Sequence, residues 1–424
     1  MIRFLFKGLL RDRSRSLMPI LIVAIGVALT VLMFCYMTGV LGDMIETTAN
    51  YSAGHVKITT RAYAKNKAQL PNDLALLNVD ELITKVHKDY PTLELVKRIN
   101  FGGLLDSPDK NGETKKQGIV IGISVDLLSE NSKEIDRLNI RDALRKGRFP
   151  EKSNEVLLSD EFADKLELKP GSTVTLITST MYGAMSIQNF VVAGTIEFGM
   201  EMMDRSGMIA DITGIQDALD MHDACSEILG FLDSHSYDDL EAMNIEQTFN
   251  AKYSDKDDEF SPIMSRLKNE SMMAGYFDYV DNLVGILVFV FIFAMSIVLW
   301  NTGLIGGLRR YGEVGVRLAI GEEKGHIYRS MILESIFIGI IGSVIGTIIG
   351  LGFSYWIQEV GINIGDIMKS SKMMVPNVFR AKITDTAYYI GFIPGLFSIV
   401  LGTMLSGIGI YKRKTAQLFK ELDT

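Results

Sequence analysis

Residues 309–334, RRYGEVGVRLAIGEEKGHIYRSMILE, decide how this chain is read. They are polar and small, and they lie between two runs, 282–307 and 335–358, that contain no Asp, Glu, Lys or Arg. Roughly 20 apolar residues carry a helix across a bilayer at about 1.5 Å per residue. Each flanking run therefore predicts a span, and the quoted stretch predicts a loop between them. Two further charge-free runs, 16–42 and 386–411, bring the expected spans to four. Runs of 24 to 27 residues are too long and too apolar to be read as core helices of a soluble enzyme.

The expected fold class is integral membrane: four transmembrane α-helices plus a large α+β extracytoplasmic domain of two subdomains between the first and second helices. The division along the chain is an amphipathic cytoplasmic helix at 1–16, spans at 17–42, 281–308, 335–358 and 386–411, the large domain with a stalk at 43–280, a cytoplasmic loop at 309–334, a short extracytoplasmic loop at 359–385 and a cytoplasmic tail at 412–424. Charge sets the orientation. Segments 1–16, 309–334 and 412–424 hold fourteen Lys/Arg against seven Asp/Glu, whereas 43–281 holds 25 basic and 41 acidic residues. Short loops rich in Lys and Arg stay in the cytoplasm, while long domains translocate largely regardless of charge. Both termini are thus expected inside and the acidic block outside. The first run is twice the length of a usual signal-peptide core and is followed by no A-x-A site, which predicts an uncleaved anchor with Pro19 in its first turn.

In the outer block, HVKITT (55–60), 93–105, GIVIGISV (118–125), 155–158, TVTLIT (173–178) and IQNFVVAGTI (187–196) are β-branched and strand-like. Residues 80–87, 160–166 and 213–222 read as short helices, and the helical pattern from 261 to 280 is expected to run into the second span as a stalk. The two cysteines, Cys35 in a span and Cys225 in the block, predict no structural disulfide. Asp220, His222, Asp223 and Cys225 lie close in sequence, but this spacing reads as solvated surface rather than a metal site. Neither a catalytic residue nor a metal ligand is assigned.

The chain has no G-x-x-x-x-G-K-[ST], so an ATP-driven function requires a separate subunit to bind the nucleotide. The spans carry no ionisable Asp, Glu, Lys, Arg or His, which argues against an ion-coupled transporter. The loop itself offers a docking helix over 309–321, in which Val314 and Leu318, and Gly315 and Ala319, stand one turn apart. Gly321 is placed to end the helix, and Arg310, Glu313 and Arg317 supply charge to orient a partner. In the third span Gly339, Gly342, Gly346 and Gly350 form a small-xxx-small ladder, expected to seat a close helix contact within the protein or across a dimer.

RRYGEVGVRLAIG (309–321) resembles the E-x-G-x-x-x-A-x-G coupling segment of the FtsX/MacB/LolC-LolE permeases, the membrane subunits of mechanotransmitting ABC transporters. VLLSDEFADKLELKPGSTVTL (156–176) is similar to that family's core signature. FVVAGTIEFGMEMMDRS (190–206) and GHVKI (54–58) look like the LolC/LolE branch, whereas SGIGIYKRKTAQLFKEL near the C-terminus departs from the Pro-containing end of many relatives. The resemblance implies a dimer with a second permease copy or paralogue and two ATPase subunits. ATP and Mg would be held by those partners, with no cofactor on this chain. The implied cargo is a lipoprotein, taken laterally from the membrane between the first two spans near Met33, Met37 and Leu283 and passed to a periplasmic carrier. Within the same family, MacB-like efflux and FtsX-like signalling to a cell-wall hydrolase are the alternatives. No nucleic acid is implied.

Overall fold

A computed structural model of the chain describes residues 13–109, 112–233, 237–270, 274–308, 311–363, 374 and 378–412. The amphipathic N-terminal helix, except for its last residues, and nearly all of the C-terminal tail lie outside these. The chain forms two compact units, one of residues up to 42, 278–362 and from 379 on, the other of residues 43–277 with 363–378.

The first unit is helical. Its elements are α1 (Arg13–Thr48), α2 (Ala274–Leu308), α3 (Tyr311–Ala319), α4 (Lys324–Val360) and α5 (Ile399–Lys412). Among the described residues four helices are long and apolar enough to cross a membrane: Leu17–Ala53, Gly285–Ile305, Lys324–Val360 and Asp385–Ile408. In lipid every backbone group must be satisfied internally, and helices of this composition meet that demand. Pro19 sits inside α1 rather than in its first turn, because the helix already runs from Arg13. The fourth span is not one regular α-helix. It opens with a 3₁₀ turn at Asp385–Tyr388 and a π-helical turn at Ile393–Ser398 that contains Pro394, whose missing N–H cannot continue an α ladder.

Glycines set the packing. Gly342, Gly346 and Gly350 of α4 lie on α1 in one four-residue register, against Val23, Val27 and Val31. A methyl on Gly346 would stand 2.5 Å from the Ala24 carbonyl oxygen. Gly339 instead faces Leu396 and Ile399 of the fourth span, and Gly303 of α2 meets the backbone of Ile399 and Gly402. Apolar burial gives little drive inside a membrane, so this close backbone approach and its dispersion contacts supply the association. Thr30, Thr38 and Thr302 turn their hydroxyls back onto the carbonyls of Gly26, Phe34 and Val298. In this way they stay satisfied without a partner helix.

The second unit is α+β and contains a ten-stranded sheet. Its strands are β1 (Val56–Thr60), β2 (Leu93–Pro108), β3 (Thr114–Val125), β4 (Leu144–Gly147), β5 (Glu155–Ser159), β6 (Thr173–Ser179), β7 (Met185–Ile196), β8 (Gly207–Asp211), β9 (Glu227–Leu232) and β10 (Pro262–Arg266). The order is β10-β1-β9-β2-β3-β8-β5-β7-β4, and β6 pairs with both β2 and β7. That double pairing closes β2, β3, β8, β5, β7 and β6 into a ring. The two subdomains expected from the sequence are therefore the ring and the β10-β1-β9 extension. They share β2, whose first half pairs with β9 and whose second half enters the ring. β5 is buried along its whole length: Val156 and Leu158 join a core with Phe162 and Phe190, while Leu157 joins another with Ile196 and Phe198.

The stalk expectation needs correction. Residues 262–266 are the edge strand β10, not helix, and α2 begins at Ala274. β1 offers an unpaired edge that β10 fills from Val56↔Arg266 to Thr60↔Pro262. Pro262 is tolerated at the strand end, where its missing N–H costs no ladder bond.

Candidate coupling site

α3 is braced on α4. Val314, 3% exposed, packs with Ile327 and Met331, and Leu318 covers the same cluster. Both pairs are spaced one turn apart, so two i, i+4 stripes meet face to face. Gly321 then stops the helix at φ +101°. The Glu322 N–H reaches the Arg317 carbonyl at 3.1 Å and the Gly321 N–H reaches that of Leu318 at 3.1 Å, which is a Schellman motif. Arg317 folds back and donates to both oxygens of Glu322 at 2.6 and 2.7 Å, holding that carboxyl below its ordinary range.

This placement separates the residues expected to dock together. Val314 is buried against α4, Gly315 is buried and Leu318 is half-buried, whereas Ala319 is exposed. Arg317 is engaged with Glu322. The Glu313 backbone belongs to α3 and its side chain is not described; Arg310 lies outside the described residues. The outward stripe contains two residues that the sequence reading passed over, Val316 at 45% and Ile320 at 81% exposure. Their i, i+4 spacing was visible in the sequence; which of two apolar stripes faces outward is decided by Ile327 and Met331.

The sheet unit has a built joint where the chain enters and leaves it. β1 and β10 are paired neighbours, so the segments leading from α1 and into α2 meet the sheet side by side. After Thr48 the helix widens into a π turn, Ala49–Ala53, whose last carbonyls have no helical partner. Arg98 of β2, 1% exposed, supplies one: it donates to the carbonyls of Asn50 at 2.7 Å and Tyr51 at 2.9 Å, and to Glu134 at 2.9 Å. On the other side Lys57 pairs with Glu227 at 2.9 Å, and Glu270 takes Lys67 at 2.6 Å. Burial raises the Glu270 carboxyl, but Lys57, Lys67 and Ser265 together hold it below its ordinary value.

Met33 and Met37 are half-buried along α1, and Leu283 lies in α2 with its side chain undescribed. The structure shows an apolar groove of about 390 Å³ on a different face of α1, between Leu21, Ile25, Leu29 and Ile345, Ile349, Phe353. Of the residues near Asp220, Cys225 is fully buried in a strand while His222 is exposed, so the group does not converge.

Residues 16–242 match the MacB-like periplasmic core domain, and residues 285–415 match the FtsX-like permease C-terminal region. The chain is similar to the ABC transporter permease YtrF of Bacillus subtilis, with 29% identity over 119 residues, 27% of this chain and 24% of the relative. It is also similar to the macrolide export ATP-binding/permease protein MacB of Wolinella succinogenes, with 30% identity over 79 residues, 19% and 12% of the two chains. The matched stretches thus span a quarter or less of these relatives. The periplasmic region of MacB from Actinobacillus actinomycetemcomitans aligns at 9% identity and a TM-score of 0.35, over 54% of this chain and 95% of that one. Matched over more than half its length by the core domain and over its later helices by the permease region, the chain belongs to the FtsX-like permeases that carry a MacB-like periplasmic core domain.

Proposed function

We propose that the chain is the permease subunit of an ABC transporter whose ATPase is a separate protein. The observation that carries this reading is α3: a short helix braced from behind by Ile327 and Met331, stopped by Gly321, and presenting Val316, Ala319 and Ile320 outward. A rigid helix with a free apolar stripe suits docking into a groove. The charge asymmetry favours a cytoplasmic α3 and a periplasmic sheet unit, and the missing G-x-x-x-x-G-K-[ST] favours ATP and Mg on the partner. Two permease chains, identical or paralogous, would hold two ATPases.

For the output we favour movement of a lipid-anchored protein from the membrane to a periplasmic carrier, admitted near Met33, Met37 and Leu283. Spans without charge suit acyl chains, and 190–206 resembles the lipoprotein-releasing branch. The relatives named as macrolide exporters favour a second reading, expulsion of periplasmic small molecules.

Ile320→Glu places a charge on the most exposed residue of the stripe, just past the end of α3, without touching the α4 contact. The ATPase recovered with the purified permease is expected to fall at least about tenfold, the loss produced by roughly 1.4 kcal/mol, with membrane insertion unchanged. Recovery at normal stoichiometry would show that docking occurs elsewhere.

A further inference from the structure

We propose that His55 is the positioning residue that ties the end of α1 to the end of β9, and that protonating it breaks that tie on the β9 side. His55 belongs to GHVKI, a motif that the docking reading leaves without a role. Gly54, at φ +61°, turns the chain sharply from the π turn into β1; a methyl there would stand 2.7 Å from the Val56 carbonyl oxygen. His55 follows, 1% exposed, and is bonded in four directions. Its N–H donates to the Gly230 carbonyl at 2.9 Å, and its carbonyl accepts the Leu267 N–H at 3.0 Å in the turn that precedes α2. Its ring Nδ1 accepts the Leu232 N–H at 2.9 Å, and its Nε2 stands 3.0 Å from the Glu46 carboxylate in the last turns of α1.

The Leu232 amide is a donor, so Nδ1 must be the acceptor. The proton of the neutral ring is then on Nε2, where it bonds Glu46. A second proton has only Nδ1 to occupy, and there it would face the Leu232 N–H donor to donor. Protonation therefore keeps the tie to α1, now as an ion pair, and breaks the tie to the end of β9. The groups facing the ring are Glu46 from α1, Tyr237 at 5.9 Å and Phe231 at 5.6 Å between ring centroids. A cavity of about 390 Å³ reaches His55 past Glu94, Lys133, Asp136 and Arg137, which gives a proton a route to a ring that is otherwise enclosed. Arg137 is held over Phe231 at 3.9 Å and Lys133 is paired with Glu94, so the cations nearest the ring are engaged elsewhere.

The consequence for coupling rests on the docking reading, but the test does not require a partner. Hydrogen exchange is followed on the full chain in lipid nanodiscs at pH 7.5 and pH 5.5, with the intrinsic rates divided out. The wild type is expected to lose protection at the Leu232 amide by about tenfold on acidification, the effect of one lost buried hydrogen bond, while Leu267 stays protected. His55→Asn keeps an acceptor for Leu232 without titrating, and should hold its protection at both pH values. His55→Phe should leave Leu232 unprotected at both. Equal protection of Leu232 in the wild type at the two pH values, or the same acid response in His55→Asn, overturns the proposal. Because the ATPase is absent, a negative result here leaves the docking reading standing, and the reverse also holds.

Discussion

Replacing Arg98 with methionine is expected to destabilise the sheet unit by about 3 kcal/mol, because it leaves a carboxylate buried with half its partners. Glu134 is as buried as Arg98, and its remaining partner is Arg137. The carbonyls of Asn50 and Tyr51 also lose their donor at the end of the π turn. For a domain of roughly 150–250 residues this corresponds to a fall in Tm of about 6–12 °C. The double variant Arg98→Met with Glu134→Met should recover much of the loss, since the side chains then pack as apolar groups of similar length. A thermal melt of the full chain decides this. Equal stability of wild type and Arg98→Met would mean that the clamp contributes nothing, and additive losses in the double variant would mean that the pair does not act as a unit.

The second large effect is expected at the α1–α4 contact. Gly346→Leu would put a side chain where a methyl already comes within 2.7 Å of the Val27 Cβ and 2.5 Å of the Ala24 carbonyl oxygen. A backbone cannot give by that distance without separating the helices, so the loss is about 3 kcal/mol or more. Gly352, on the same helix, has nothing within 4 Å and provides the control: Gly352→Leu should change the melting temperature little. If both substitutions behave alike in detergent-solubilised protein, helix propensity rather than close approach explains the ladder.

Features carried by periodicity or by absence were readable without coordinates. Charge-free runs gave the four spans, the four-residue glycine spacing marked one face of α4, and Gly321 marked the end of α3. β-branched runs gave β1 and β7. What depends on partners distant in sequence was not readable. Residues 262–266 have no strong strand pattern and become β10 because β1 has an open edge. Arg98 and Glu134 lie 36 residues apart and nothing in their surroundings announces a pair. The outward face of α3 was misassigned in part because Gly315 and Ala319 looked equivalent until Ile327 and Met331 took Val314 to the inside. His55 was legible only as part of a strand-like run and of a resemblance, since its four bonds run to residues 46, 230, 232 and 267.

On the proposed function, a partner bound at α3 drives the sheet unit through the segments that join it to α1 and α2. The most direct measurement is hydrogen exchange on the permease–ATPase complex in nanodiscs, with and without a non-hydrolysable ATP analogue. The analogue is expected to change exchange at least about fivefold at 43–54 and 267–270, an effect of roughly 1 kcal/mol on local opening, and Ile320→Glu is expected to abolish the change. A response confined to 311–323, with the sheet unit unaltered, would contradict it.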